Sequence, residues 1–144
     1  MTTWTCFDVT MDGAVAHVRM NQPQRHNAMT PDFWAEIPQL FRQLDEAGGV
    51  RAAVLSSDGR HFSAGMDLSV FANAGTLGTV DVAARERFRH QLKKLQLCFT
   101  AIAEVRFPVI AAIQGGCIGG AVDLATACCL RYCSRDAWFC IQEI

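Results

Sequence analysis

The residues best suited to chemistry lie in one stretch, PVIAAIQGGCIGGAVD, from Pro108 to Asp123. Four of the six residues from Gly115 to Gly120 are glycine. Such a run lets the main chain turn sharply and lets a ligand approach it closely. An acid, Asp123, falls in the first turn of a helix expected to start near Gly119 and Gly120. A helix N-terminus presents unpaired N–H groups and the positive end of a dipole. It favours a bound phosphate, or an oxyanion that develops during a reaction. A tight strand-to-helix turn with no ligand accounts for the same residues, because a glycine loop alone is a weak motif. A second small-residue loop, HFSAGMDL from His61 to Leu68, opens a short helix expected to reach Phe71.

The elements that must position these loops alternate between strand and helix. Val109 to Ile113 is a charge-free apolar run, which predicts a strand covered on both faces. Phe7 to Thr10 and Ala14 to Met20 predict two strands joined by a hairpin turn at Asp12-Gly13, the second buried on both sides. Asn21 to Met29 is a polar loop. Thr30 then caps a helix with Pro31 at its first position, running to about Glu46 and stopping at Gly48-Gly49. Pro38 inside it removes a hydrogen bond and is expected to kink or split it. Ala52 to Ser57 predicts another strand, and Asn73 to Gly78 a loop. Val82 to Glu104 is the strongest helix, with Phe88, Leu92, Leu95, Phe99 and Ile102 in one apolar stripe. Arg85, Arg87, Arg89, Lys93 and Lys94 lie mostly off the stripe, as a solvated face or as phosphate contacts. A helix from Gly120 to about Cys128, a strand from Leu130 to Cys133, a turn at Arg135-Asp136 and a strand from Ala137 to Ile141 complete an α/β pattern.

Composition narrows the function classes. The 144 residues allow one domain with a modest core. At 51% hydrophobic and 19% charged, the chain is globular. A net charge of -1 argues against a nucleic-acid surface. No apolar run is long enough for a transmembrane helix. MTTWTCFDVT has neither the basic-then-apolar pattern of a signal peptide nor the arginine-rich pattern of a transit peptide. The seven cysteines are odd in number and sit mostly among apolar residues, as buried free thiols of a reducing compartment do. Cys128, Cys129, Cys133 and Cys140 match no zinc spacing, and His17, His26, His61 and His90 lie elsewhere, so no metal site is expected.

NQPQRHNAM, HFSAGMDL, PVIAAIQG, GCIGGAVDLATACCLRYC and AWFCIQEI stand in this order along nearly the whole chain. Together they resemble the crotonase family, the enoyl-CoA hydratase/isomerase superfamily. The resemblance implies a spiral of ββα units over residues 1–144, without the C-terminal helical part of the family. It implies that the main-chain N–H groups of Met66 and Gly120 grip the thioester carbonyl of an acyl-CoA and stabilise an enolate. It makes Glu143 a proton-transfer group and Asp123 a residue that orients the site. By the same resemblance Arg25, His26 and Ala28 line the pantetheine or phosphate region. Ser63, Ala64, Gly65, Asp67 and Gly119 border the thioester and adenine end. Many hydratases carry glutamate where Asp123 stands. Aspartate there, followed by RYC-x-x-DA-x-F and then glutamate, resembles the Δ3,5-Δ2,4-dienoyl-CoA isomerases of unsaturated fatty acid β-oxidation.

Family members run to roughly twice this length, and the isomerase pattern has a further aspartate a few residues past Ile144. Little or no isomerase activity is therefore expected of the 144-residue chain by itself. The resemblance implies no cofactor, since the substrate carries coenzyme A. It implies trimers or hexamers for full-length members, a soluble intracellular protein, and a peroxisomal or mitochondrial setting. No nucleic acid or membrane partner is expected. Two alternatives stand beside the isomerase: an enoyl-CoA hydratase, and a non-catalytic fragment that binds acyl-CoA or associates with full-length subunits.

Overall fold

Pairing begins with a hairpin. The computed structural model describes residues 3–72 and 81–142, except the side chains of 71 and 72. The expected loop from Asn73 to Gly78 lies outside the described residues. Strands β1 (Phe7–Asp12) and β2 (Val15–Met20) are antiparallel, in register from Phe7↔Met20 to Asp12↔Val15. Because Asp12 still pairs, the turn falls on Gly13 and Ala14, one residue later than predicted, with Gly13 at φ +57°. Ala16, Val18 and Met20 of β2 are buried while His17 and Arg19 are exposed. The strand is thus buried on one face, not the two expected. On its open face Arg19 meets Asp8 across the hairpin at 3.0 Å.

The main sheet has the order β1-β2-β3-β4-β6, with β3 (Ala52–Ser57), β4 (Val109–Ile113) and β6 (Leu130–Cys133). From β2 onward every pairing is parallel and follows chain order. Val109, Ala111 and Ile113 of β4 are buried, but Ile110 and Ala112 are only half-buried, so its second face is partly covered. A second sheet pairs β5 (Gly116–Ile118) with β7 (Trp138–Cys140) in parallel. Single parallel bridges continue the pattern at Ser63↔Cys117 and Met29↔Met66. Each turn of chain therefore crosses the main sheet, makes a short extended contact, and enters a helix. That is the expected ββα spiral.

Helix α1 (Pro31–Glu46) starts as predicted, with Thr30 Oγ1 accepting the Phe33 N–H at 3.3 Å. It runs as one helix through Pro38, so the proline does not split it. Proline has no N–H to give the Trp34 carbonyl one turn earlier. The Cys98 thiol of α3 (Val82–Ala103) reaches that carbonyl instead, at 3.3 Å, sharing its single S–H between it and the Lys94 carbonyl of its own helix, also at 3.3 Å. Phe33, Ile37, Leu40 and Phe41 of α1 join Val18, Leu55, Ala111, Ile102 and Leu124 in one buried cluster. Along α3 only Cys98 and Ile102 are buried; Phe88, Leu95 and Phe99 are half-buried and Leu92 is exposed. A short helix α2 (Ser69–Ala72) precedes α3, and α4 (Gly120–Ala127) follows β5.

Candidate functional site

Two glycine turns build the site. In the first, Gly115 has φ +57°, and a Cβ there would strike the Arg60 carbonyl oxygen. The Gly116 N–H donates to His61 Nδ1 at 2.9 Å. Gly119 has φ 54° and ψ −124°, a conformation open essentially to glycine. Its carbonyl accepts the Val122 N–H at 2.7 Å, closing the first turn of α4. The C=O and N–H of a trans peptide point in opposite directions. The Gly120 N–H therefore points out of the helix end.

The second turn obeys the same geometry. Gly65, at φ +83°, gives its carbonyl to the Met29 N–H at 2.8 Å, so the Met66 N–H points away from Met29. The Met29 carbonyl holds the far side of this loop by accepting the Asp67 N–H at 3.1 Å. The two turns touch. A Cβ on Gly65 would collide with the Ile118 carbonyl oxygen, and would stand 3.5 Å from the Gly120 nitrogen. Among the described residues neither the Met66 nor the Gly120 N–H has an acceptor.

Both residues line one cavity of about 440 Å³. Asp123, exposed in the first turn of α4, lines it too. Trp34, Leu92, Leu95 and Phe99 form its apolar wall. The Trp34 Nε1–H donates to the Met29 carbonyl at 3.0 Å, and its ring meets Phe99 edge-on at 5.3 Å. The cavity is thus lined by Met66 and Gly120, whose N–H groups have no acceptor among the described residues, by a carboxyl group and by an apolar side. Such a set can hold an anionic oxygen at the head of an apolar tail.

The other predicted residues divide. Ala64, Gly65 and Gly119 line the cavity with Met66, Gly120 and Asp123. Arg25 and Asp67 form an ion pair at 2.9 Å outside that lining. Hydrogen bonding from Ser69, with Arg25 adding to it, holds the Asp67 carboxyl below the usual carboxylate range. His26 gives its carbonyl to the Ala64 N–H at 2.9 Å and sets its ring edge-on to His61 at 5.4 Å. Ala28 is half-buried and bonds the Arg25 carbonyl at 3.1 Å. Ser63 is fully buried, with its hydroxyl engaged inside the protein. Glu143 lies outside the described residues.

Sequence reasoning missed two kinds of residue. It gave the α3 residues only as one apolar stripe, although Leu92, Leu95 and Phe99 line the cavity. It also passed over Met29 and Asn27, both buried. The Asn27 Nδ2 donates to the Asp58 and His61 carbonyls at 2.8 and 3.2 Å, tying the 21–29 loop to the loop after β3. The only signal for Met29 was its place just before the Thr30 cap.

A ββα spiral with two glycine turns meeting at the start of a helix defines the class of this domain. The chain belongs to the enoyl-CoA hydratase/isomerase family, whose model matches residues 10–144. It is 43% identical over 136 residues to the peroxisomal Delta(3,5)-Delta(2,4)-dienoyl-CoA isomerase of Arabidopsis thaliana, covering 92% of this chain and 49% of that protein. It is also 43% identical over 132 residues to the mitochondrial Delta(3,5)-Delta(2,4)-dienoyl-CoA isomerase of Mus musculus, covering 90% of this chain and 40% of that one. The crystal structure of an enoyl-CoA hydratase/isomerase from Marinobacter aquaeolei superposes with a TM-score of 0.82 at 26% identity, covering 93% of this chain and 50% of that one. The chain thus spans about half the length of the relatives it matches.

Proposed function

We propose that this chain carries the thioester-binding part of a 3,5-dienoyl-CoA to 2,4-dienoyl-CoA isomerase. The observation that carries the reading is a pair of amides, Met66 and Gly120, that have no acceptor among the described residues and line one cavity with Asp123. Likeness to named dienoyl-CoA isomerases at 43% identity supports the particular reaction.

In this reading the two N–H groups hydrogen-bond the thioester oxygen, most strongly as it gains negative charge. A base removes a proton from C2 of the substrate, and the electron pair spreads through the conjugated system to C6. A proton added at C6 leaves double bonds at C2 and C4, so the reaction is an isomerisation with no net gain or loss. Glu143 serves as one proton-transfer group, while Asp123 orients the site and sets its charge. The wall of Trp34, Leu92, Leu95 and Phe99 receives the acyl chain. No cofactor is needed beyond the coenzyme A of the substrate, and assembly into trimers or hexamers belongs to the same proposal.

The test uses the protein expressed from its complete reading frame, incubated with 3,5-dienoyl-CoA and, separately, with 2-enoyl-CoA. Growth of the conjugated 2,4-dienoyl absorbance from the first substrate supports the reading. Turnover of the 2-enoyl-CoA alone, by loss of its enoyl absorbance, replaces isomerase with hydratase. Tight binding of both without turnover makes the chain an acyl-CoA-binding module.

A further inference from the structure

Ser63 joins the two halves of the site. Its backbone bridges to β5, the strand that leads into Gly119 and Gly120. The Ser63 N–H donates to the Gly116 carbonyl and the Ile118 N–H donates to the Ser63 carbonyl, each at 3.2 Å. Its side chain reaches the other half. The hydroxyl donates to the Asn27 carbonyl at 2.8 Å and accepts the Gly65 N–H at 3.1 Å. The residue is 0% exposed, so water cannot replace either bond. Asn27, the anchor, is itself 3% exposed and held by three side-chain bonds and by its own N–H donating to the Gln22 carbonyl.

Gly65 needs such a hold. With no Cβ and a positive φ, its flanking peptides can rotate more freely than those of any other residue. The Gly65–Met66 peptide carries one of the acceptor-free N–H groups. Its carbonyl is pinned by Met29, and the peptide before it is pinned by the Ser63 hydroxyl. Together they leave one orientation for the Met66 amide.

We propose that Ser63 is a positioning residue: its buried hydroxyl, bonded to Asn27 and Gly65, fixes the direction of the Met66 N–H relative to the strand that carries Gly120. This rests on the functional reading above and gives Ser63 a role without substrate contact. A misplacement of about 1 Å at such a donor costs on the order of a hundredfold in rate.

The experiment compares Ser63→Ala, Ser63→Thr and Ser63→Cys in the protein from its complete reading frame, by three readouts. The first is the kcat and KM split for the dienoyl substrate. Ser63→Ala is expected to lose about ten- to a hundredfold in kcat with KM nearly unchanged, and Ser63→Thr, which keeps a hydroxyl, to recover most of it. The second is the infrared carbonyl shift of bound 2,4-hexadienoyl-CoA, expected to shrink in Ser63→Ala. The third is amide hydrogen exchange without ligand, expected to speed up at Gly65, whose N–H loses its acceptor, but not at Val18. Ser63→Cys, with a weak donor and acceptor in place, substitutes for Ser63→Ala if that variant does not fold. Unchanged kcat with a full carbonyl shift overturns the proposal, as does unchanged exchange at Gly65. If the unmutated protein neither turns over the dienoyl-CoA nor shifts its carbonyl, the functional reading fails, and the exchange comparison still decides whether Ser63 orients the Met66 amide.

Discussion

Replacing Gly65 with alanine tests the contact between the two turns. Two costs apply. At φ +83° an L residue is strained by about 1–2 kcal/mol. The new Cβ also meets the Ile118 carbonyl oxygen, which is backbone and cannot swing aside. Reaching ordinary contact requires the loops to part by about 1 Å. Gly65 directly precedes Met66, and Ile118 lies two residues before Gly120, so the displacement passes into the gap between the two amides. A shift of that size costs about a hundredfold in rate, or roughly 2.7 kcal/mol in the barrier. Gly13→Ala provides the control. Gly13 has φ +57°, but nothing lies within 4 Å of the position a Cβ would take. It isolates the dihedral cost in a hairpin outside the cavity. The assay, in the protein from its complete reading frame, pairs thermal unfolding with turnover of 3,5-dienoyl-CoA per folded molecule. Gly13→Ala should lose stability alone; Gly65→Ala should lose more stability and also turnover. Equal melting shifts, with Gly65→Ala at full turnover, would refute the close approach and the reasoning built on it.

Three further outcomes follow from the packing. Cys98→Ala strands the Trp34 carbonyl and should cost about 1–3 kcal/mol in urea unfolding. In a Pro38→Ala background, where residue 38 regains its N–H, the same change should cost about 1 kcal/mol less; strict additivity would dismiss the thiol as a proline substitute. Asp67 is held below its unfolded pKa by Ser69 and Arg25. Its contribution is therefore present above about pH 4 and lost as pH falls through the folded value. Asp67→Asn should flatten the acid side of a melting-temperature profile, and an unchanged slope would contradict the assignment. Burial pushes the Cys128 thiol up to about 12 and the Cys117 thiol up to about 11. Cys129 and Cys133 are exposed. Alkylation at pH 8, mapped by mass spectrometry, should mark Cys129 and Cys133 well before Cys6, Cys98, Cys117 and Cys128; early labelling of Cys128 would count against its burial.

Features written in local chemistry were readable before any coordinates. Thr30-Pro31 announces α1, Gly48-Gly49 follows its end, and the apolar runs mark β3 and β4. The glycine run and Asp123 marked the start of α4 because sharp turns and dipoles are short-range matters. What escaped depended on distant partners. Strand β5, three residues inside what reads as a glycine turn, is too short for any periodicity and exists through its pairing with β7, itself expected as a strand from Ala137 to Ile141. Pro38 made no sense until Cys98, sixty residues on, came to the carbonyl it left unpaired. The α3 stripe could not reveal by itself that half of it faces a cavity. For β2, residue types alternate between small and polar, and the alternation should have outweighed the impression of two-sided burial.

The donors at Met66 and Gly120, which have no acceptor among the described residues, belong to the backbone, not to side chains. Amino-acid replacement at either position changes bulk and torsion but leaves the N–H itself in place, proline alone excepted. Sequence drift there can proceed without deleting the donor. Selection is then expected to act on the neighbours that aim it, so that the least variable positions of this region need not be the ones nearest the ligand.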